Sequence, residues 1–382
     1  MNGTATLSGS LSPEIAVRRL VERVRAARAG RKPLCIVGGD TKAFYGEAPR
    51  GAPLDIRPLA GISSYEPSEL VVTVRAGTPL AELEAALAEQ GQCLPFEPPR
   101  FASSGTNVGT APLGGTVGGM VAAGLSGPAR AAVGGLRDYV LGATLLNGRA
   151  ELLSFGGTVI KNVAGYDVSR LLAGSMGLFG VICEVSLKVL PVAVASATLR
   201  FELTEAAALK QLNTWGGQPL PVNASAWWDG TLVLRLSGAA AAVQSALRKL
   251  GGELVDPALA AAFWTGVRDQ TDEFFSGADK AVAGGATLWR LAVAQTAPPL
   301  ALAGEQMVEW GGAQRWVVTA APAALLRDAA VAAGGHATAF RGAKTAGALA
   351  PLSAPLARIH RELKTAFDPD RVFNPGRLVP EL

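Results

Sequence analysis

Ile15, Val17, Leu20, Val21 and Val24 recur among arginines behind Ser12-Pro13-Glu14. That spacing lays an apolar stripe along a helix that starts at Pro13 and stops at Gly30. Leu34 to Val37 is a short unbroken apolar run and predicts a buried strand. Asp55 to Leu59 and Leu70 to Ala76 predict two more, the second rich in β-branched residues. Thr78 and Pro79 offer an N-cap and a first-turn proline for a helix that runs to Gln90. Val140 to Leu153 reads as two strands about an Asn147-Gly148 turn, and Val181 to Pro191 alternates until proline ends it.

Beyond Pro191 the texture changes. Short strands such as Thr231 to Leu236 alternate with alanine-rich helices such as Ala239 to Leu250, and all seven tryptophans lie between Trp215 and Trp316. Tryptophans spread this widely are expected in a core rather than along one pocket. A last helix, Leu356 to Phe367, precedes an ordered turn that is expected to return to the first domain. The pattern predicts an α+β protein with a first domain over 1–192, a smaller α+β domain over 193–350 and a returning segment over 351–382.

Composition narrows the function. The 382 residues are 49% hydrophobic and 17% charged, with a formal net charge of +4, and no block of like charges tracks a phosphate backbone. Nucleic-acid binding is therefore not expected. Cys35, Cys93 and Cys183 stand singly, which predicts buried thiols in a reducing compartment and no iron–sulfur cluster. Met1 to Ser12 lacks a basic and then apolar pattern, and Val117 to Ala132 is broken by glycine, proline and arginine. A cytoplasmic chain, attached to a membrane only through partners, is the expectation.

Three glycine-rich stretches carry the candidate chemistry: Val37-Gly38-Gly39-Asp40-Thr41-Lys42, Leu113-Gly114-Gly115-Thr116-Val117-Gly118-Gly119, and Gly174 to Gly180. Glycines let backbone approach a ligand and aim successive N–H groups at anionic oxygens, so three such loops suggest one long phosphate-bearing molecule. No G-x-G-x-x-G opens a helix and no P-loop is present, which argues against a Rossmann domain and a P-loop ATPase.

Taken together, these loops resemble the FAD-binding domain of the vanillyl-alcohol oxidase and p-cresol methylhydroxylase (PCMH-type) superfamily. Gly156 to Asp167, Gly174 to Ile182, Leu94 to Pro99, Phe367-Asp368-Pro369 and Asn374-Pro375-Gly376 are similar to the branch of glycolate oxidase and D-lactate dehydrogenase flavoproteins. Among these the similarity runs to the FAD-binding subunits of three-subunit bacterial glycolate oxidases. The resemblance implies a two-subdomain FAD-binding domain with a smaller cap. It assigns Gly38 to Lys42 and Val37 to the pyrophosphate, and Pro112, Leu113, Gly114, Gly115, Thr116, Gly118 and Gly119 to the isoalloxazine and pyrophosphate. Gly174, Gly177, Gly180, Val181 and Ile182 fall to the adenine and ribose, and Asn374 to the same cofactor. Met176 and Leu178 stand where the family has an acidic residue and a threonine, which puts those side-chain contacts in question. No histidine precedes His336, so noncovalent FAD is expected. The implied partners are a catalytic flavin sister subunit and an iron–sulfur subunit, and the implied substrate is glycolate or a similar 2-hydroxy acid.

Such an oxidation needs a hydride acceptor, a base for the hydroxyl proton and cations for the carboxylate. With two histidines in the chain, His336 beside Arg341 and Lys344 is the candidate catalytic set, and His360 is read as a helix-surface residue. No metal site is expected. Three readings stay open: a cofactor-bearing subunit that relays electrons, a self-sufficient dehydrogenase, and a flavin-binding scaffold without a redox step.

Overall fold

The computed structural model describes residues 12–102, 114–157 and 167–382. The first helix runs Pro13–Gly30 with the Ser12 side chain accepting from the Ile15 N–H, and it buries Ala16, Leu20, Val24 and Ala27. β1 (Leu34–Val37) pairs in parallel with β2 (Ala52–Asp55). This second strand lies earlier than the pattern predicted. Asp55 Oδ1 accepts the Arg57 N–H at 2.9 Å, and that local turn, with Pro58 unable to donate, ends the strand where it was expected to begin.

The remaining strands of this half are β3 (Ile62–Glu66), β4 (Val71–Arg75), β5 (Gln92–Cys93), β6 (Val140–Leu146), β7 (Leu152–Gly156), β8 (Val181–Lys188) and β9 (Leu190–Pro191). Five of them form an antiparallel sheet in the order β3-β4-β8-β6-β7, and β5 pairs with β9. The helix after β4 is Leu80–Glu89, and Thr78 does not cap it: Pro79 occupies the cap position. The Thr78 hydroxyl instead accepts the Gly61 N–H at 2.9 Å, and the first helical N–H, that of Leu80, donates to the Gly115 carbonyl. The β6–β7 hairpin closes through residues 147–151 rather than a two-residue turn. Asn147 Oδ1 accepts the N–H groups of Arg149 and Glu151, and the Gly148 N–H donates to the Phe367 carbonyl of the C-terminal helix.

The second half is one antiparallel sheet. Its strands are β10 (Ala195–Glu202), β11 (Val222–Trp228), β12 (Thr231–Gly238), β13 (Glu253–Leu254), β14 (Thr287–Ala292), β15 (Glu305–Glu309), β16 (Gln314–Thr319) and β17 (His336–Arg341), in the order β13-β10-β12-β11-β15-β16-β14-β17. Strand alternation divides its residues between two faces. One face packs Ala224, Ala226, Leu288, Met307, Trp316 and Phe340 against Tyr45, Phe101, Leu125 and Met176 of the first half. The other buries Leu291, Val317 and Ala339 beneath the helix Ala323–Ala332, and Leu199 and Leu234 beneath Glu205–Gly216 and Ala240–Leu250. Trp215, Trp264, Trp289, Trp310 and Trp316 are buried and Trp227 and Trp228 half-buried, which matches a core role.

The helix Ala354–Phe367 leads the chain back: Leu34 donates to the Val372 carbonyl and Asn374 to the Leu34 carbonyl, extending β1. Of the cysteines only Cys183 is buried, its thiol pushed up to about 12 by that burial; Cys35, within β1, and Cys93, at the end of β5, are half-buried. Among the described residues no helix is long and apolar enough to cross a membrane.

Candidate functional site

A strand that ends in glycines leaves its last N–H groups unpaired, and β1 delivers such an end at Gly38. Two further chain segments close around it. A Cβ on Gly38 would lie 2.4 Å from Thr116 Oγ1, so the first loop touches the start of the helix Val117–Ala123 with no room for a side chain. Thr116 caps that helix by accepting the Gly119 N–H at 3.2 Å. Gly177, at φ +72°, faces Asn374, and a Cβ there would lie 2.6 Å from Asn374 Nδ2. Asn374 joins the parts: its Oδ1 accepts the Ile36 N–H at 2.9 Å and its Nδ2 donates to the Met176 carbonyl at 2.6 Å.

These contacts enclose a cleft of about 430 Å³. Val37, Gly38, Gly39, Asp40, Thr41 and Lys42 line it from the first loop, and Thr116, Gly118 and Gly119 from the second. Gly177, Gly180, Ile182 and Asn374 complete the wall. Gly114 and Gly115 stand behind it: a Cβ on Gly115 would meet Thr41 Oγ1 at 2.7 Å, so their smallness serves loop packing. Gly174 packs its backbone against Gly124, and Val181 enters the sheet core, so neither lines the cleft. Pro112 and Leu113, and most of the Gly156 to Asp167 motif, lie outside the described residues.

The cleft carries the cations of Lys42 and Arg377, with the Asp40 carboxylate also on its wall. Among the described residues Lys42 Nζ hydrogen-bonds Thr41 Oγ1 at 3.2 Å and the Gly114 carbonyl at 3.4 Å; burial pulls its pKa down to about 8, with the charge of Asp269 opposing. Arg377 is 7% exposed and spends Nη2 on the carbonyls of Lys42 and Ala43, while its Nη1 has no hydrogen-bond partner among the described residues. A buried guanidinium donor left unmade costs free energy, and an anion in the cleft removes that cost. The side-chain-free cradle, the strand-end amides and this orphaned donor together fit the pyrophosphate and ring system of FAD. Arg377 was not among the residues assigned from the sequence; its adjacency to Asn374-Pro375-Gly376 was the available signal. We expect Arg377→Met to weaken FAD retention by about tenfold to a hundredfold, checked by fluorescence titration of the apoprotein with FAD.

The proposed catalytic set is not assembled. His336 and Arg341 begin and end β17, five residues apart, or about 17 Å along an extended strand, and His336 is exposed. Arg341 pairs with Asp279 at 3.0 Å and stacks over Phe44 at 5.1 Å; Lys344 donates to the carbonyls of Phe44 and Gly46, and burial draws its pKa down to about 8. Arg341 and Lys344 thus bind the second half of the chain to the end of the first loop, and His336 is apart from both. His360 is half-buried on the C-terminal helix, its Nδ1 2.8 Å from the Leu356 carbonyl. Among the described residues no cluster of His, Cys, Asp and Glu has the makings of a metal site.

A model of the FAD binding domain matches residues 17–156. The chain is 45% identical over 363 residues to glycolate oxidase subunit GlcE of Escherichia coli (strain K12), covering 95% of this chain and 97% of the relative. It is 32% identical to a D-lactate dehydrogenase of Anaerostipes hadrus over 37% of this chain and 27% of that protein. Against glycolate oxidase subunit GlcD of Bacillus subtilis (strain 168) it is 28% identical over 47% of this chain and 36% of the relative. A solved alkyldihydroxyacetonephosphate synthase shares the fold, with a TM-score of 0.63 at 15% identity over 94% of this chain and 74% of that one. The chain belongs to the family of FAD-binding oxidoreductases that includes glycolate oxidase subunit GlcE, and its cofactor is FAD.

Proposed function

We propose that this chain is the noncovalent FAD-bearing subunit of a complex that oxidises glycolate to glyoxylate and passes the electrons to partner subunits. The observation that carries the reading is the glycine-walled cleft with its unanswered Arg377 donor, in a chain 45% identical to a glycolate oxidase subunit along nearly its whole length. FAD supplies the hydride acceptor; the chain's residues hold it, with the strand-end amides, Thr41, Lys42 and Arg377 at its anionic groups and Asn374 holding the first and third loops together. We take 1–192 as the FAD-binding domain, 193–350 as the cap and 351–382 as the returning segment. The five-stranded sheet ends before Pro191 and the eight-stranded sheet occupies Ala195 to Arg341, which supports that division. A catalytic flavin subunit and an iron–sulfur subunit are the proposed partners.

The alternatives are a self-sufficient dehydrogenase and a flavin-binding scaffold without a redox step. Anaerobic visible spectra separate the readings. The chain purified alone is expected to show an oxidised flavin spectrum that glycolate bleaches only slowly, and rapidly once the partner subunits are added. Prompt bleaching of the single chain overturns the dependent-subunit part. A flavin that stays oxidised in the whole complex while substrate reduces the other centres overturns the redox role and leaves a scaffold.

A further inference from the structure

Of the two cations that line the cofactor cleft, Arg377 keeps its charge at any pH a protein meets, whereas a lysine ammonium gives up its proton when it is drawn out of water. Lys42 is placed for that. Its ammonium has three donors, and within the described residues they find Thr41 Oγ1 and the Gly114 carbonyl, both neutral and both at long range for a charged donor. The acid whose charge favours its protonated form is Asp269, at the end of the helix Pro257–Asp269. That carboxylate is committed elsewhere: Arg268 donates to Oδ1 at 2.8 Å and to Oδ2 at 2.7 Å, and the Arg100 N–H donates to Oδ1 at 2.9 Å.

The other charged groups around Lys42 come from four elements. Arg377, in the C-terminal turn, gives Nη2 to the Lys42 carbonyl at 3.3 Å. Arg341, on β17, stacks over the Phe101 ring at 5.4 Å, the same ring that Lys42 faces at 5.6 Å, and its acid is Asp279. Arg100 packs where a Cβ on Gly114 would meet its Cγ at 3.3 Å, and its acid is Glu84 at 2.7 Å. Asp40, on the first loop, lines the cleft, and its charge acts on Arg377 and Cys35. Arg341 and Arg100 thus have acids of their own, and an anion that enters the cleft is left to Lys42 and Arg377.

We propose that Lys42 takes up a proton as FAD binds, so that retention of the cofactor is governed by pH through this one side chain. The inference rests on the FAD-subunit reading above. The pyrophosphate bridge of FAD is anionic throughout the neutral and alkaline range and has no proton to lose there. The proton therefore comes from solvent, one N–H bond forms at Lys42 Nζ, and no bond of the cofactor changes. A negative charge at close range favours the charged form of an amine, which is what holds the proton in the complex. Arg377 supplies a charge that does not vary, and Lys42 supplies one that does.

The direction of the pH dependence follows. Without cofactor, burial leaves the Lys42 ammonium to lose its proton through about pH 8, and bound FAD moves that loss to higher pH. Well below about pH 8 the ammonium is charged in both states and no proton is exchanged. Above it the FAD-free chain has lost the proton and the complex has not, so affinity falls as pH rises through about 8. The neighbouring titratable groups separate from Lys42. Burial pushes the Cys35 thiol up, and Lys344, also drawn down to about 8, gives its ammonium to the carbonyls of Phe44 and Gly46 and does not line the cleft.

The test titrates the full FAD-free chain with FAD in a calorimeter at about pH 8, once in HEPES and once in Tris, whose different ionisation heats report the protons exchanged. Flavin fluorescence follows the affinity from about pH 7 to about pH 9. We expect uptake of about half a proton per FAD at about pH 8, and an affinity about tenfold lower at about pH 9 than at about pH 7. Lys42→Arg is expected to hold FAD, to exchange no proton and to show a flat profile. The parent's uptake persisting in Lys42→Arg places the proton elsewhere and overturns the proposal. Should Lys42→Arg not hold FAD, acetylation of Lys42 in the parent by acetic anhydride, read by mass spectrometry across pH, decides in its place. A midpoint near about 8 that FAD moves up by about one unit or more is expected, and a midpoint that FAD leaves unmoved overturns it. A parent that binds FAD with no proton exchange and a flat profile overturns it while the FAD-subunit reading stands; a chain that takes up no FAD overturns both.

Discussion

Gly39→Val is expected to abolish FAD retention. A Cβ on Gly39 would stand 2.6 Å from Gly115 Cα and 3.2 Å from its carbonyl carbon, both backbone atoms that have no rotamer to escape into. The first and second loops must then separate, and the N–H groups that converge on the cofactor diverge with them. We expect affinity for FAD to fall by about a hundredfold or more, equivalent to about 2.7 kcal/mol, read as flavin absorbance per chain after gel filtration. Gly277→Ala is the matched control, because the nearest atom to its Cβ is 4.0 Å away on a helix remote from the cleft. A Gly39→Val protein that purifies with full flavin would show that the loops do not grip the cofactor.

The second large effect concerns the way the chain's end is tied down. Lys364 and Asp368 are 1% and 0% exposed and paired at 2.7 Å. Lys364 Nζ also donates to the carbonyl of Leu178 in the third loop at 2.7 Å and to that of Phe373 at 2.8 Å. Asp368 accepts the N–H groups of Val372 and Phe373 at 2.9 and 2.8 Å. One buried ion pair thereby fastens the C-terminal turn to the loop that carries Gly177, and so sets where Asn374 and Arg377 stand. Lys364→Met leaves Asp368 charged and uncompensated in the interior, which costs about 3–5 kcal/mol, or a midpoint lower by about 10 °C for a domain of this size. The double variant Lys364→Met, Asp368→Asn should recover part of that loss, since the amide still accepts a backbone N–H and leaves no charge behind. Calorimetry of the FAD-free chain checks both, and an unchanged midpoint in Lys364→Met would remove the pair from this role.

Where a signal rests on neighbours in the chain, the residues displayed it. The helix Pro13–Gly30 and strand β1 lie where Ser12-Pro13-Glu14, the apolar stripe and Leu34 to Val37 put them, because capping and periodicity act within a few residues. The three glycine loops were equally visible, since glycine's backbone freedom is a property of each residue alone. Local rules failed where a distant group competed for the same atom. Thr78 was drawn from its helix by Gly61, and the Asn147-Gly148 turn was lengthened as the C-terminal helix approached so closely that a Cβ on Gly148 would lie 2.1 Å from Asp368 Oδ1.

The amino-acid sequence by itself determined that this chain is an α+β protein with glycine loops for one long anionic cofactor, and through its family motifs that the cofactor is FAD. The tertiary structure decided which residues line one cleft and which lie apart from it. Arg377 reaches the first loop from 335 positions away along the chain. Glu309 and Arg290 come to one face of the sheet only because strand pairing and the pleat turn them there. No spacing along the chain records such a meeting, because burial and charge act through space and depend on what the rest of the fold brings near.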